Sequence, residues 1–446
     1  MRLRNAVMSL TLLAAGLAAV APAAPSGAAT TVPDWPQYHG GSSRAGYSSA
    51  SPAYNGRLHV SARITLDGAV YASPIVAGGR TIVATENNTV YAFGPSNQLL
   101  WKRHLGAPAR SADHPCGNID PLGITGTPAY YAGTHEIYVA AEFHASPPTH
   151  RVYGLDLTTG AMRLSQGLDL PGVDRAVMQQ RGALALAHGR VWVPFGGLAG
   201  DCGQYKGRLV GVPVTGGGVR TYTVPTRREA GIWTSPGPTV DPSGNLYVAV
   251  GNGAAGTNGL PYDFSDSVLE LNGSTGAALQ HFSPTTWRTD NDADLDLGSQ
   301  GPAFVGSYVF AAGKSGTAYT LRRGALGGIG GQVSQRSICK SFGGTAVVGN
   351  HVYVPCTDGV RSVYIYPNGR MLPVWHNSTA NGSPVYGGGI IWTLDTANGI
   401  LRGLDLATGS RRAGVSVGAV TRFATPALSG NRILVGTTSG LTVLAY

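Results

Sequence analysis

Short runs of alternating apolar and polar residues, broken by glycine turns, recur along most of the chain. Each run predicts a half-buried antiparallel strand, because successive side chains of a strand point to opposite faces. The runs group into one unit: a small residue with Pro or Gly, an apolar strand, a glycine turn, a second strand, a gap and a third strand. "YASPIVAGGRTIVATENNTVYAFG" shows the unit first and "FATPALSGNRILVGTTSGLTVLAY" shows it last. Eight such units follow one another at spacings of roughly 40 to 60 residues, the range of propeller blades. A fourth, outer strand follows each third strand, as "LLWKRHLG" does in the first unit, but the eighth stops at Tyr446 without one. "RLHVSARITLDG", ahead of the first unit, supplies it and closes the ring, so no long strand edge stays open. The pattern predicts an all-β, eight-bladed propeller over residues 58–446, with four antiparallel strands per blade, behind an extended segment over residues 30–57.

Composition agrees with many short strands: 66 glycines and only 12% charged residues. The first 29 residues read as a cleaved leader, with Arg2 and Arg4 ahead of an apolar stretch and small residues after it. No later stretch holds 18 uninterrupted apolar residues, so the sequence predicts a secreted, monomeric protein with no membrane span. The formal charge is +9, but the arginines are scattered without a basic run, which argues against a nucleic-acid partner.

Four cysteines in an exported chain predict two disulfides. In a propeller, the blade-to-blade connections and the turns between second and third strands share one face. Cys116 and Cys202 then meet in adjacent blades, and Cys339 and Cys356 meet within the sixth blade, which selects those two pairs.

"TDNDADLDLGS" (Thr289 to Ser299) sets Asp290, Asp292, Asp294 and Asp296 at alternate positions. It is not an EF-hand, because Leu295 stands where that loop needs Gly and Gly301 where it needs Glu. Its period of two predicts loop and strand at the entry to the fifth blade. "GNGAAG" matches a dinucleotide fingerprint, but no helix-forming stretch follows it. His114, His144 and His150 lack any zinc spacing and are expected at the surface. Asn118, Asp120, Asp263 and Asp266 fall in loops of the same face, where polar residues need no special role.

"GLDLTTG", "ELNGSTG" and "GLDLATG" resemble the signature turn of the pyrroloquinoline-quinone (PQQ) propeller repeat. "GIWTSPGPTVDPSGNLYVAVGNG" and "DADLDLGSQGPAFVGSYVFAAGKSGTAYTL" are similar to two stretches of quinoprotein alcohol dehydrogenases, and the "D-A-D-x-D-x-G-S" form is most like polyvinyl-alcohol dehydrogenases. The resemblance implies Trp233 as a stacking floor, Lys314 on the quinone carbonyls and Asp294 as general base. It implies Asn252 and Asp296 as calcium ligands, with Asp201 near the place of the family's glutamate ligand. PQQ and Ca²⁺ are thus the implied cofactors, with a small-molecule or polymer ligand on one face. No C-x-x-C-H haem motif is present, so electrons would leave to a separate acceptor. The same repeat also builds cofactor-free ligand-binding or scaffold propellers without enzymatic activity, and both outcomes follow from the resemblance.

Overall fold

The computed structural model describes residues 33–446, so the leader read over residues 1–29 lies outside the described residues. Eight antiparallel four-stranded blades follow in chain order. In the first, Ile75–Ala77, Arg80–Ala84, Thr89–Phe93 and Leu99–His104 run from the innermost strand outward. The eighth consists of Ala427–Ser429, Arg432–Thr437 and Gly440–Ala445, and His59–Thr65 pairs antiparallel with the last of these. The ring therefore closes through the strand ahead of the first blade. Val60, Ala62 and Ile64 of that strand pack on the core shared with the eighth blade, while the alternate residues face outward.

The middle strands of each blade are buried on both faces because neighbouring blades pack there. Val352 and Val363 of the sixth blade, for example, lie in one apolar layer with Phe310 of the fifth. The signature turns have a specific role in this packing. Asp156, Asn272 and Asp405 each accept two backbone N–H groups and a threonine hydroxyl of their own turn. The turn glycines Gly160, Gly276 and Gly409 have φ of +68°, +77° and +70°. A Cβ at those positions would run into Trp101, Trp192 and Trp375 of preceding blades. Each indole N–H donates to a carbonyl of the same turn: Leu157, Gly273 and Leu406. The motif is thus a docking point between blades, and its glycine is needed both for the left-handed backbone and for the close indole.

The segment ahead of the closing strand seals the ring's inner edge. The inner strands would leave their N–H groups unpaired, and unpaired buried donors are costly. Val76, Tyr130, Val240, Val347 and Tyr386, each the second residue of an inner strand, instead donate to Trp35, Pro36, Ser42, Ala45 and Gly46. Arg44 is buried there and donates to the carbonyls of Pro238 and Leu184.

Disulfides join Cys116 to Cys202 and Cys339 to Cys356, as the blade order requires. The aspartate run differs from its period-two reading. Trp287–Asp292 forms an α-helix, with Thr286 donating its hydroxyl to Asp290 four residues on. Asp292 turns back to accept the backbone N–H of Thr257. Local helical hydrogen bonds and this loop contact win over the alternation, which had too few residues to define a strand. No helix among the described residues is long and apolar enough to cross a membrane.

Candidate active site

A cavity of about 530 Å³ opens at the face that carries the loops between second and third strands. Asp201, Trp233, Asn252, Asp294, Asp296 and Lys314 all line it, together with Asn118. The loops explain the convergence. Asp201, Asn252 and Lys314 follow the second strands Arg190–Gly197, Leu246–Val250 and Tyr308–Ala312 of three successive blades. Trp233, Asp294 and Asp296 precede the inner strands Thr239–Val240 and Ala303–Val305.

Lys314 holds the centre of the acidic wall. Its ammonium lies 2.6 Å from Asp294 Oδ1 and 2.7 Å from Asp296 Oδ2. The same ammonium is 5.9 Å from the centroid of the Trp233 ring, within cation–π range. Burial opposes its charge, but Asp296 and Asp294 outweigh that and raise its pKa above lysine's ordinary value. Asp296 is only 4% exposed and is pushed upward by burial, against the pull of Lys314 and of the Asn252 N–H, which donates to Oδ1 at 2.5 Å. Asp294 differs: its side chain is 64% exposed, its backbone φ is +53°, and only Oδ1 is hydrogen-bonded. Behind them Asp266 is buried, accepts the Leu297 N–H at 2.9 Å and leaves Oδ2 without a partner. Burial, then the neighbouring Asp296, hold the Asp266 carboxyl well above the usual range. A Cβ on Gly251 would meet Asp296 Oδ1 at 2.9 Å and Trp233 Nε1 at 3.2 Å, so the bare backbone there lets both side chains approach.

A flat quinone fits the lining: Trp233 offers a ring face, with Phe342 and Phe423 beside it at centroid distances of 6.5 and 6.2 Å. A divalent cation does not fit the donors as they stand. Both Asp296 oxygens are engaged by Asn252 and Lys314, and Asp201 accepts the Tyr205 hydroxyl at 2.5 Å. No group of three His, Cys, Asp or Glu side chains among the described residues is arranged to hold a metal. The positive charge among these carboxylates is the lysine's own.

Several lining residues had escaped the sequence reading: Tyr71, Arg181, Tyr205, Phe342, Arg422 and Phe423. A repeat signal for four of them does exist. Tyr71, Arg181, Phe342 and Phe423 each stand four residues before an inner strand, at Ile75, Ala185, Ala346 and Ala427. Thr125, Ser235, Ser299 and Asn381 hold the same place in the other blades. Residues at one repeat position thus ring the axis.

The three histidines separate rather than share the surface. His144 is exposed, but His114 and His150 are buried against Glu142, each Nε2 lying 3.3 Å from a different carboxylate oxygen. His150 Nδ1 also lies 2.9 Å from Asp169. Burial opposes a charged imidazole here, but Glu142 and Asp169 outweigh it and hold His150 up to about 10. Glu142 sits inside the strand Glu136–Phe143, and only packing of the blades reveals that it faces both rings.

The family model described as "Outer membrane protein assembly factor BamB" matches residues 43–260. No curated protein sequence matches. Among solved structures, BamB from Moraxella catarrhalis superposes with a TM-score of 0.61 at 17% identity, covering 87% of this chain and all of that one. The computationally designed Ika8 protein superposes with a TM-score of 0.53 at 14% identity, covering 86% of this chain and 98% of that one. At these identities the likeness is one of fold. With eight blades in register, the chain has the eight-bladed β-propeller fold, and its repeats, three of them with the signature turn, are similar to those of the matched family over residues 43–260.

Proposed function

We propose that the protein is an exported quinoprotein-type oxidoreductase of alcohols or polyols, with PQQ bound in the axial cavity. The observation that carries this is the convergence of Trp233, Asp294, Asp296, Lys314 and Asn252, drawn from loops of two adjacent blades, onto one cavity. The cavity's volume lies within the roughly 300–1,000 Å³ typical of small-molecule sites. When bound, PQQ would supply the acceptor for the hydride of an alcohol, which carries both electrons of the oxidation. Trp233 would support the ring, and the Lys314 ammonium would face its carbonyl oxygens. Asp294 would accept the hydroxyl proton: it is exposed to the cavity and keeps one oxygen free of hydrogen bonds, as a general base requires. Asp296 acts indirectly, holding Lys314 in place. Electrons would pass to a separate acceptor.

Titration of the purified protein with PQQ, with and without Ca²⁺, followed by Trp fluorescence and thermal shift, tests the assignment. Stabilisation at micromolar PQQ is expected, and its absence in both conditions would sink the proposal. Asp294→Asn is then expected to abolish dye-linked alcohol oxidation while the protein stays folded.

A second reading, a cofactor-free ligand-binding or scaffold propeller, is favoured by the match to the assembly-factor model. It predicts no response to PQQ together with stable capture of an exported protein.

A further inference from the structure

Three cations line the cavity, and they are treated differently. Lys314 is neutralised by Asp294 and Asp296. Arg181 and Arg422 come from the approaches to the third and eighth inner strands. Both guanidiniums share the Phe423 ring, at 5.2 and 5.5 Å from its centroid, and Arg422 lies 4.2 Å from that of Phe342. Among the described residues neither has an ion-pair partner within 4.0 Å. Glu86 acts on Arg181 from a distance without pairing with it: Oε2 accepts from the Gly123 N–H at 2.8 Å and the Thr125 hydroxyl at 3.1 Å, and Oε1 is buried without a hydrogen-bond partner. Burial pushes the Arg181 pKa down by more than Glu86 and Tyr71 raise it, and the like charge of Arg422 adds to the lowering.

Elsewhere the chain shows how it satisfies an arginine whose role is structural. Arg44 donates to Pro238 O, Leu184 O, Tyr38 O and Gln37 Oε1. Two guanidiniums around one aromatic ring, repelling each other and facing a cavity, instead leave their donors directed at whatever enters. Guanidinium forks match carboxylate and phosphate oxygens, and a ring face flanking them favours a flat ligand. Arg181 is also the one charged residue in the ring of eight equivalent positions, which holds Tyr71, Thr125, Ser235, Ser299, Phe342, Asn381 and Phe423 elsewhere.

We propose that Arg181 and Arg422, with Phe423 and Phe342, form an anion-recognition wall that selects a flat ligand bearing a carboxylate or phosphate group. The wall lies opposite in charge to the carboxylates around Lys314, so the ligand's anionic end is directed away from Asp294. The proposal rests on the cavity being the ligand site and does not require the oxidation step.

Three aromatic probes of one ring size test it by equilibrium fluorescence binding to the full chain: 2-naphthoate, 2-naphthyl phosphate and neutral 2-naphthol. Wild type is expected to bind at least one anion roughly ten-fold or more tightly than 2-naphthol, the scale of a charge-assisted hydrogen bond. The better anion names the group. Arg181→Gln and Arg422→Gln are each expected to erase that preference while leaving 2-naphthol binding and the melting temperature unchanged, and Arg422→Lys is expected to restore part of it. Equal binding of anions and naphthol, or an anion preference that survives both glutamine substitutions, overturns the proposal. The oxidation assay separates the two readings. Arginine-dependent naphthoate or phosphate binding without PQQ turnover retains the wall and removes the oxidoreductase. PQQ turnover at unchanged KM in both glutamine variants retains the oxidoreductase and removes the wall.

Discussion

His150 gives the protein a measurable alkaline sensitivity. Its ring is buried between Glu142 and Asp169, which hold its pKa up to about 10 against an ordinary value of 6.5. The folded state therefore keeps a proton that the unfolded chain has already released. The stability this contributes is complete below about pH 6.5 and is lost as pH rises towards 10. Across that window the loss runs at about 1.4 kcal/mol per pH unit. Between pH 7.5 and 9 wild type should lose about 2 kcal/mol from this residue alone. Glu86, which burial pushes up to about 7, also titrates near the lower end of that window, so the His150 contribution is read as the difference between wild type and variant. Urea denaturation at pH 7.5, 8.25 and 9 measures the slope, and His150→Gln removes it. At pH 7.5 the variant should be less stable by about 3 kcal/mol, because Glu142 is left buried without its cation. The gap should narrow as pH rises. Equal slopes in the two proteins, or a wild type whose stability is flat across the window, would refute the assignment of a charged His150.

Lys314→Met should cost about 3–5 kcal/mol near neutral pH, because it strands the buried Asp296 carboxylate, and Lys314→Met/Asp296→Asn should recover most of it in the same denaturation assay. Asp266→Asn should stabilise the protein at pH 7, because burial and Asp296 disfavour the native carboxylate. The native carboxyl there is raised, so its penalty grows as pH rises above 3.8, and the variant's advantage should vanish in acid. Cys116→Ser/Cys202→Ser should cost about 4–5 kcal/mol and Cys339→Ser/Cys356→Ser about 3 kcal/mol, following the 86- and 17-residue separations they close.

Much of the fold was legible because propeller strands carry their instruction locally. The apolar stripe of "RTIVA" or "RILVG" and the glycine turn beside it need no distant residue to be read. Repetition then multiplied the signal, and the unit missing one strand, together with the spare strand at His59–Thr65, announced how the ring closes. The same logic sorted the loops by face, which brought Trp233, Asn252, Asp294 and Lys314 to one cavity and paired the cysteines. Where the signal was short, it misled. Four alternating aspartates suggested extended chain, yet the Thr286–Asp290 contact and the loop at Thr257 set a helical turn.

The sequence by itself determined the blade count, the closure and the face on which chemistry is possible, because these follow from period and loop order. Only the tertiary structure decided the electrostatics. Lys314 bridges Asp294 and Asp296, so the carboxylates meet the chain's own cation. His150 lies in a buried ionic cluster with Glu142 instead of at the surface, and Arg181 and Arg422 gather around Phe423. Charge pairing depends on distances of a few ångströms between residues far apart in sequence, such as the 241 positions from Arg181 to Arg422. The alternation that builds a blade carries no record of those distances.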